Sequence, residues 1–219
     1  MSFRKRNSHT KSKRADSTKI HVVVRVRPRI AEDLDSTIHK RPGASAYEEC
    51  VEEDEARSSV FLKKPYFDTR EFAFDCVLGR GATQAQAYEA VARGVVDDVM
   101  AGFNGTILAY GQTGSGKSHS VMGSADDLGI IPRLSVELFE RIEQAPPGVS
   151  FVVSATYLEL YNEVICDLLN PGSQGLKIRQ HIASGIYVEG LTEVEVATPA
   201  EIFELVAAGN GFWILVYRV

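Results

Sequence analysis

The octapeptide GQTGSGKS, at residues 111–118, constrains the fold more than any other segment of this 219-residue chain. It fits the pattern G-x-x-x-x-G-K-[ST] at every fixed position. The apolar run NGTILAYG at 104–111 precedes it and is predicted to be a strand, and a helix is predicted to open at about Gly116. The order of strand, glycine-rich loop and helix is the context of a genuine phosphate-binding loop, and it predicts an α/β domain with helices on the faces of a sheet.

The residue types of this loop suit a nucleoside triphosphate. Gly111, Gly114 and Gly116 let the backbone curl so that successive N–H groups point at an anion. Lys117 brings a positive charge to the β- and γ-phosphates, and Ser118 offers a hydroxyl ligand to Mg²⁺. The predicted phosphate-binding residues are Gly111, Gln112, Thr113, Gly114, Ser115, Gly116, Lys117 and Ser118.

Hydrolysis also requires a group that orients water and an acidic residue near the metal. The segment FVVSATYLELYNE at 151–163 ends in acidic residues. We assign Glu159 and Glu163 to structural or surface roles, because the segment is a poor match to an apolar strand that ends in Asp. The sequence therefore predicts a complete phosphate cradle and no catalytic residue.

Alternating and helical periodicities predict the other elements. Helix-capping patterns are clearest at 82–102, where Thr83 and Gln86 have capping-box spacing and Gly102 suits the end, and at 198–209, where Thr198 precedes Pro199. A third helix is predicted from Pro132. Strands are predicted at 20–28, 70–79, 149–163 and, as short strands around a turn at Ser184 and Gly185, within 176–196. The acidic cluster within 48–55 is predicted to be a solvated loop.

Composition narrows the class of protein. No apolar run reaches the ~18 residues that a membrane-spanning helix needs, and the basic start lacks the apolar segment of a secretory signal. The three cysteines, Cys50, Cys76 and Cys166, have no metal-binding spacing and are predicted to be reduced thiols. The first nineteen residues hold seven basic residues against one acidic, although the whole chain carries −5. This leader either contacts an acidic surface or is a solvated, disordered tail.

Several motifs, in one order, resemble the N-terminal half of a kinesin motor domain over residues 19–210. They are VVVRVRP, FAFDCVLG, GFNGTILAYGQTGSGKSHSVMG, GIIPRL, YLELYNEVICDLLNP and LKIRQHIASGIYVEGLTEVEV. The loop flanks and GIIPRLSVELFERI look most similar to the kinesin-3 group. The resemblance implies a three-layer α/β/α sandwich that binds ATP and Mg²⁺ and belongs to an ATPase stimulated by microtubules, located in the cytoplasm on the cytoskeleton.

The resemblance also implies further site residues. Arg25, Arg27 and Pro28 match the R-x-R-P segment that borders the adenine, and His119 matches the position that packs on the adenine ring. From the residues alone, two surface arginines and a helix-face histidine remain open alternatives. The lobe that touches tubulin in the family corresponds to the segment with Lys177, Arg179 and His181, which could equally be a solvated strand face. No nucleic-acid partner is expected, and the sequence does not specify an oligomeric state.

The resemblance stops near residue 210. The segment GFWILVYRV at 211–219 does not match the polar stretch expected there, and the family's two switch motifs, NxxSSRSH and DLAGSE, do not occur in the 219 residues. We therefore predict a basic leader at 1–18, a motor-domain portion at 19–210 that is incomplete at its C-terminal side, and a divergent apolar tail at 211–219. The activity expected is nucleotide binding without motility. The alternatives are a non-motor phosphate-loop protein and a truncated, inactive fragment.

Overall fold

The computed structural model describes residues 20–29, 50–64, 67–182, 185–208 and 214–218. The strands are β1 (Val23–Arg25), β2 (Val51–Asp54), β3 (Ser59–Lys64), β4 (Phe67–Ala73), β5 (Cys76–Leu78), β6 (Val153–Tyr161), β7 (Val164–Asp167), β8 (Lys177–His181), β9 (Gly185–Glu189), β10 (Glu193–Val196) and β11 (Ile214–Arg218). The helices are α1 (Gln84–Val91), α2 (Arg93–Met100), α3 (Lys117–Met122), α4 (Ile130–Glu143) and α5 (Pro199–Ala208). Some positions named in the predictions lie outside the described residues: the leader at 1–18, Glu48, Glu49, Ser184 and Gly209.

The sheet next to the loop is the parallel pair β1–β5, in which Val23 lies opposite Cys76 and Arg25 opposite Leu78. The strand predicted at 20–28 is present but shorter. The prediction of one strand over 70–79 is wrong, because this segment contains the end of β4 and the whole of β5, which pair with different strands. Phe74 N donates to Ser58 O and Asp75 N donates to Val22 O, so β4 pairs with β3 whereas β5 pairs with β1.

The second sheet is antiparallel, in the order β2–β3–β4. Its first strand contains part of the acidic cluster, so the prediction of a solvated loop is wrong there. Two of the carboxylates have structural partners: Glu55 Oε1 accepts from Gly79 N at 3.0 Å, and Glu53 forms an ion pair with Arg80. These contacts hold the turn between β5 and α1 against the sheet.

The helix predicted at 82–102 begins as predicted and divides at one residue. Thr83 Oγ1 accepts from Gln86 N at 3.2 Å and Gln86 Oε1 accepts from Thr83 N at 2.8 Å, which confirms the capping box. Ala92 separates α1 from α2, although helical hydrogen bonds continue across it. Gly102 follows α2 with φ of 90°, as the predicted stop requires.

The structure forms no strand at 104–111 among the described residues, although the sequence predicts one there. A strand needs a neighbour for its backbone hydrogen bonds. No described strand pairs with this segment, and the side chains of Leu108 and Tyr110 are 84% and 94% exposed. The predicted helix after Gly116 is α3, and α4 begins two residues before Pro132, which its first turn accommodates.

The main core lies where α4 and α5 cover the antiparallel sheet around β6. Strand β6 pairs with β7, β10 and β11, so residues 214–218 of the predicted divergent tail are part of this sheet. The buried cluster comprises Leu138, Phe139, Val153, Val196, Ile202 and Val206. A fourth sheet, the exposed hairpin β8–β9, accounts together with β10 for the short strands predicted within 176–196. Helix α5 starts at Pro199 as predicted, and Thr198 Oγ1 accepts from Glu201 N.

Candidate phosphate-binding site

The loop at 111–118 has the backbone that its glycines allow. Gly114 and Gly116 adopt φ of 79° and 93°, in the left-handed region that side chains with a Cβ rarely enter. A Cβ at Gly111 would lie 2.4 Å from Ser115 Oγ, so a larger residue there would collide with the loop. Glycine is therefore needed at all three positions, and the loop closes tightly before α3 begins.

Lys117 lies across this loop. Its Nζ donates to Gly111 O and to Gln112 O, each at 2.8 Å, so the ammonium group is held at the loop by two backbone carbonyls. Ser118 is exposed, and no hydrogen bond between described residues uses its hydroxyl. Ser115 Oγ is buried and has no hydrogen-bond partner within the described residues. Four consecutive residues thus contain the positive charge of Lys117, the exposed hydroxyl of Ser118 and the unsatisfied Oγ of Ser115.

Arg25 connects β1 to the surroundings of the loop. Its guanidinium donates to Gln84 Oε1 at 2.8 Å, to Ser120 Oγ at 3.0 Å and to Ala82 O at 3.0 Å. Burial lowers the pKa of Arg25 from its ordinary value, and the Asp127 carboxylate opposes that effect. Arg25 remains charged at neutral pH because the ordinary value is far above 7.

A cleft of about 40 Å³ lies between β1 and the glycine-rich loop at 111–118. The structure brings Arg25, Arg27, Pro28 and His119 to this cleft, beside Ser115 and Gly116 of the loop. Arg27 also donates to Pro28 O at 3.1 Å. Gln112 and Thr113 are exposed loop residues away from the lining. Lys177, Arg179 and His181 belong instead to the exposed hairpin β8–β9.

Sequence reasoning missed several residues around the cleft. Arg80, Ala82 and Ser120 line it, and Gln84 joins Arg25 to His119. Gln84 is completely buried, whereas Gln86, two residues later in the same helix, is exposed. Local spacing indicates a role only for Gln86, at the helix cap. The burial of Gln84 depends on how β1 packs against α1, which local spacing does not show.

Two features are absent from the part of the chain that the structure describes. It contains no group of three His, Cys, Asp or Glu residues placed to hold a metal ion. It also contains no helix with the length and apolar character needed to cross a membrane. The predicted Mg²⁺ ligand is one hydroxyl together with phosphate oxygens, so it requires no such cluster.

Comparison with known proteins identifies the family. The model of the kinesin motor domain matches residues 5–212. This chain belongs to the kinesin motor domain family. A kinesin heavy chain from Syncephalastrum racemosum is 36% identical to it over 202 residues, which is 90% of this chain and 20% of that protein. Kinesin-like protein KIF15 from Rattus norvegicus is 36% identical, over 93% of this chain and 15% of its own length.

The relatives of this kinesin-family chain belong to several kinesin types. Kinesin-like protein KIF13A from Homo sapiens is 38% identical, over 88% of this chain and 11% of its own length. These similarities establish the family but do not single out the kinesin-3 group. The chain spans a fifth or less of the length of these relatives.

Similarity to a solved structure confirms the fold class. The structure of a fast kinesin superimposes with a TM-score of 0.77 at 30% identity, over 87% of this chain and 52% of that chain. The predicted α/β fold of the kinesin motor type is therefore confirmed.

Proposed function

We propose that this kinesin-family chain binds ATP with Mg²⁺ through residues 111–118 and forms the nucleotide-binding portion of a microtubule motor. The observation that carries the proposal is the position of Lys117. Two backbone carbonyls of the glycine-rich loop hold its ammonium group, and Ser115 and Gly116 of the same loop line the cleft. Membership of the kinesin motor domain family supports ATP as the ligand, and so do Arg25 and Arg27, which line the cleft beside the loop.

The residues present fit this ligand. The backbone amides of the loop would bind phosphate oxygens, and Lys117 would exchange its two carbonyl contacts for the β- and γ-phosphates. The Ser118 hydroxyl would be the protein ligand of Mg²⁺, which supplies charge neutralisation between those phosphates. Arg25, Arg27, Pro28 and His119 would border the base, since they line the cleft next to the loop.

We propose binding without turnover for these 219 residues. The described residues that line the cleft include no carboxylate. Neither switch motif of the family occurs in the sequence, and these motifs orient water and respond to the γ-phosphate. Family membership counts against the non-motor alternative, because a generic phosphate-loop protein would not match the motor-domain pattern over residues 5–212.

A microtubule partner and a cytoplasmic, cytoskeletal location complete the proposal. The exposed strand β8 carries Lys177, Arg179 and His181 at alternate positions, which places them on one face of the hairpin. An alternating row of basic side chains suits an acidic filament surface.

The proposal is tested by replacing Lys117 with alanine. We expect Lys117→Ala to weaken binding of a fluorescent ATP analogue in the presence of Mg²⁺ by roughly 10- to 100-fold, the effect of losing a charge-assisted contact. Lys177→Ala removes a lysine from the exposed hairpin β8–β9, which does not line the cleft, and serves as the control, with binding of the ATP analogue unchanged. Equal binding by wild type and Lys117→Ala would contradict the phosphate-site assignment. Microtubule-stimulated phosphate release from the purified chain would contradict the proposal of binding without turnover.

A further inference from the structure

Gln84 is a buried amide that connects two residues of the cleft. It is the first residue of α1 and is 0% exposed. Its Oε1 accepts from the Arg25 guanidinium at 2.8 Å, and its Nε2 donates to the backbone oxygen of His119 at 2.6 Å. The same Nε2 lies 3.2 Å from Nδ1 of the His119 ring. All the polar atoms of this side chain therefore face residues of the cleft wall.

The orientation of the Gln84 amide is determined at both ends. A guanidinium can only donate hydrogen bonds, so the atom that faces Arg25 must be the amide oxygen. A backbone carbonyl can only accept, so the atom that faces His119 O must be the amide nitrogen. Two independent neighbours thus exclude the flipped amide.

This orientation has a consequence for the histidine ring. The amide nitrogen has two hydrogens and no acceptor capacity. One hydrogen is directed to His119 O, and the other is available to Nδ1. We propose that Gln84 is a positioning residue that fixes the tautomer of the neutral His119 ring, with the proton on Nε2. The other tautomer would oppose the Nδ1 proton to an amide hydrogen of Gln84.

The role of Gln84 rests partly on the proposed function, because its effect on ligands presupposes that the cleft accepts a nucleotide base. Gln84 contacts Arg25 and His119 and has no hydrogen bond to the phosphate-binding loop at 111–118 among the described residues. We therefore expect it to act on the base of ATP and not on the triphosphate.

The first test measures the tautomer directly in the full 219-residue chain without ligand. Ring ¹⁵N shifts of His119, recorded at a pH where the ring is neutral, should show an unprotonated Nδ1 and a protonated Nε2. Gln84→Glu keeps the size and the Arg25 contact, loses the hydrogen bond to His119 O and can only accept, so the proton should move to Nδ1. Gln180→Glu adds the same charge on the exposed strand β8 and should change nothing. A wild-type ring protonated at Nδ1, or shifts that are insensitive to Gln84→Glu, would overturn the proposal.

The second test compares two ligands. Gln84→Met removes the hydrogen bonds while filling similar space, and we expect about tenfold weaker binding of MgATP with unchanged binding of magnesium tripolyphosphate. Equal loss for both ligands would show that Gln84 merely supports the fold and would overturn its positioning role. If wild type binds neither ligand, the proposed function fails, and the tautomer measurement still decides the role of Gln84. Thermal unfolding of each variant shows whether the chain remains folded.

Discussion

At the scale of single residues, the contact between α1 and α4 shows how a carboxylate is stabilised away from water. The Tyr88 hydroxyl donates to Glu137, which also pairs with Arg141. The Glu137 side chain is 14% exposed. Burial raises its pKa, but the hydrogen bonds from Tyr88 and Arg141 outweigh burial and lower the pKa below its ordinary value. Burial, together with the bond to Glu137, raises the pKa of Tyr88.

The lowered pKa of Glu137 predicts how stability depends on pH. Because the folded-state pKa is below the unfolded one, the contribution of the carboxylate is complete above the unfolded pKa and is lost as the pH falls through the folded pKa. We expect Glu137→Gln to lower the free energy of unfolding by roughly 1–3 kcal/mol at neutral pH. The difference from wild type should shrink below the ordinary glutamate pKa of about 4.3.

Urea unfolding at a series of pH values measures this effect. Glu140→Gln on the exposed side of α4 is the matched control, and its effect should stay within about 0.5 kcal/mol. A loss of stability in Glu137→Gln that is the same at pH 3 and pH 7 would show that packing, and not charge, is responsible.

The conformation of the glycine-rich loop at 111–118 could be predicted from sequence because it depends on eight consecutive residues. Gly114, Gly116 and Lys117 have the conformations and contacts that their own chemistry requires. The position of Gln84 beside the cleft could not be predicted, because its hydrogen bond to Arg25 joins residues that are 59 positions apart in the chain. Only the family resemblance predicts a role for Arg25 at the site.

At the scale of elements, the start of α1 depends on the reciprocal hydrogen bonds of Thr83 and Gln86. Thr83→Ala removes the hydroxyl that accepts from the third amide of the helix, and we expect a loss of about 1 kcal/mol in the free energy of unfolding. Gln86→Glu keeps the acceptor and adds a negative charge near the positive end of the helix, so stability should be equal or slightly higher. Urea unfolding measures both variants. A Thr83→Ala variant as stable as wild type would show that the cap contributes nothing.

Local signals predicted helix starts better than strands. The caps of α1 and α5 are each formed within a few residues, so sequence spacing was sufficient. A strand depends on a distant partner. For this reason the apolar segment at 104–111 was predicted to be a strand and is unpaired among the described residues, whereas the acidic residues of β2 were predicted to be a loop and pair with β3.

At the scale of the whole molecule, charge is distributed unevenly. The chain carries a net charge of −5, yet strand β8 presents Lys177, Arg179 and His181 on one exposed face. Arg179 Nε donates to Glu189 Oε2 at 2.9 Å, so part of this positive charge is already paired within the hairpin. An acidic filament would thus meet a local basic face on an otherwise acidic molecule, and the attraction should weaken as salt screens it.

The hairpin allows a test that separates a contact made by Arg179 itself from the summed charge of the hairpin. Arg179→Glu reverses one charge, and we expect co-sedimentation with microtubules at low ionic strength to weaken by about three- to tenfold. The exchange variant, Arg179→Glu with Glu189→Arg, preserves net charge and keeps an ion pair possible between the two positions. If Arg179 itself contacts the filament, the exchange variant should bind as weakly as the single one. Recovery of wild-type binding by the exchange would mean that the summed charge of the hairpin matters and the position of Arg179 does not. A wild-type chain that does not co-sediment would contradict the proposed partner.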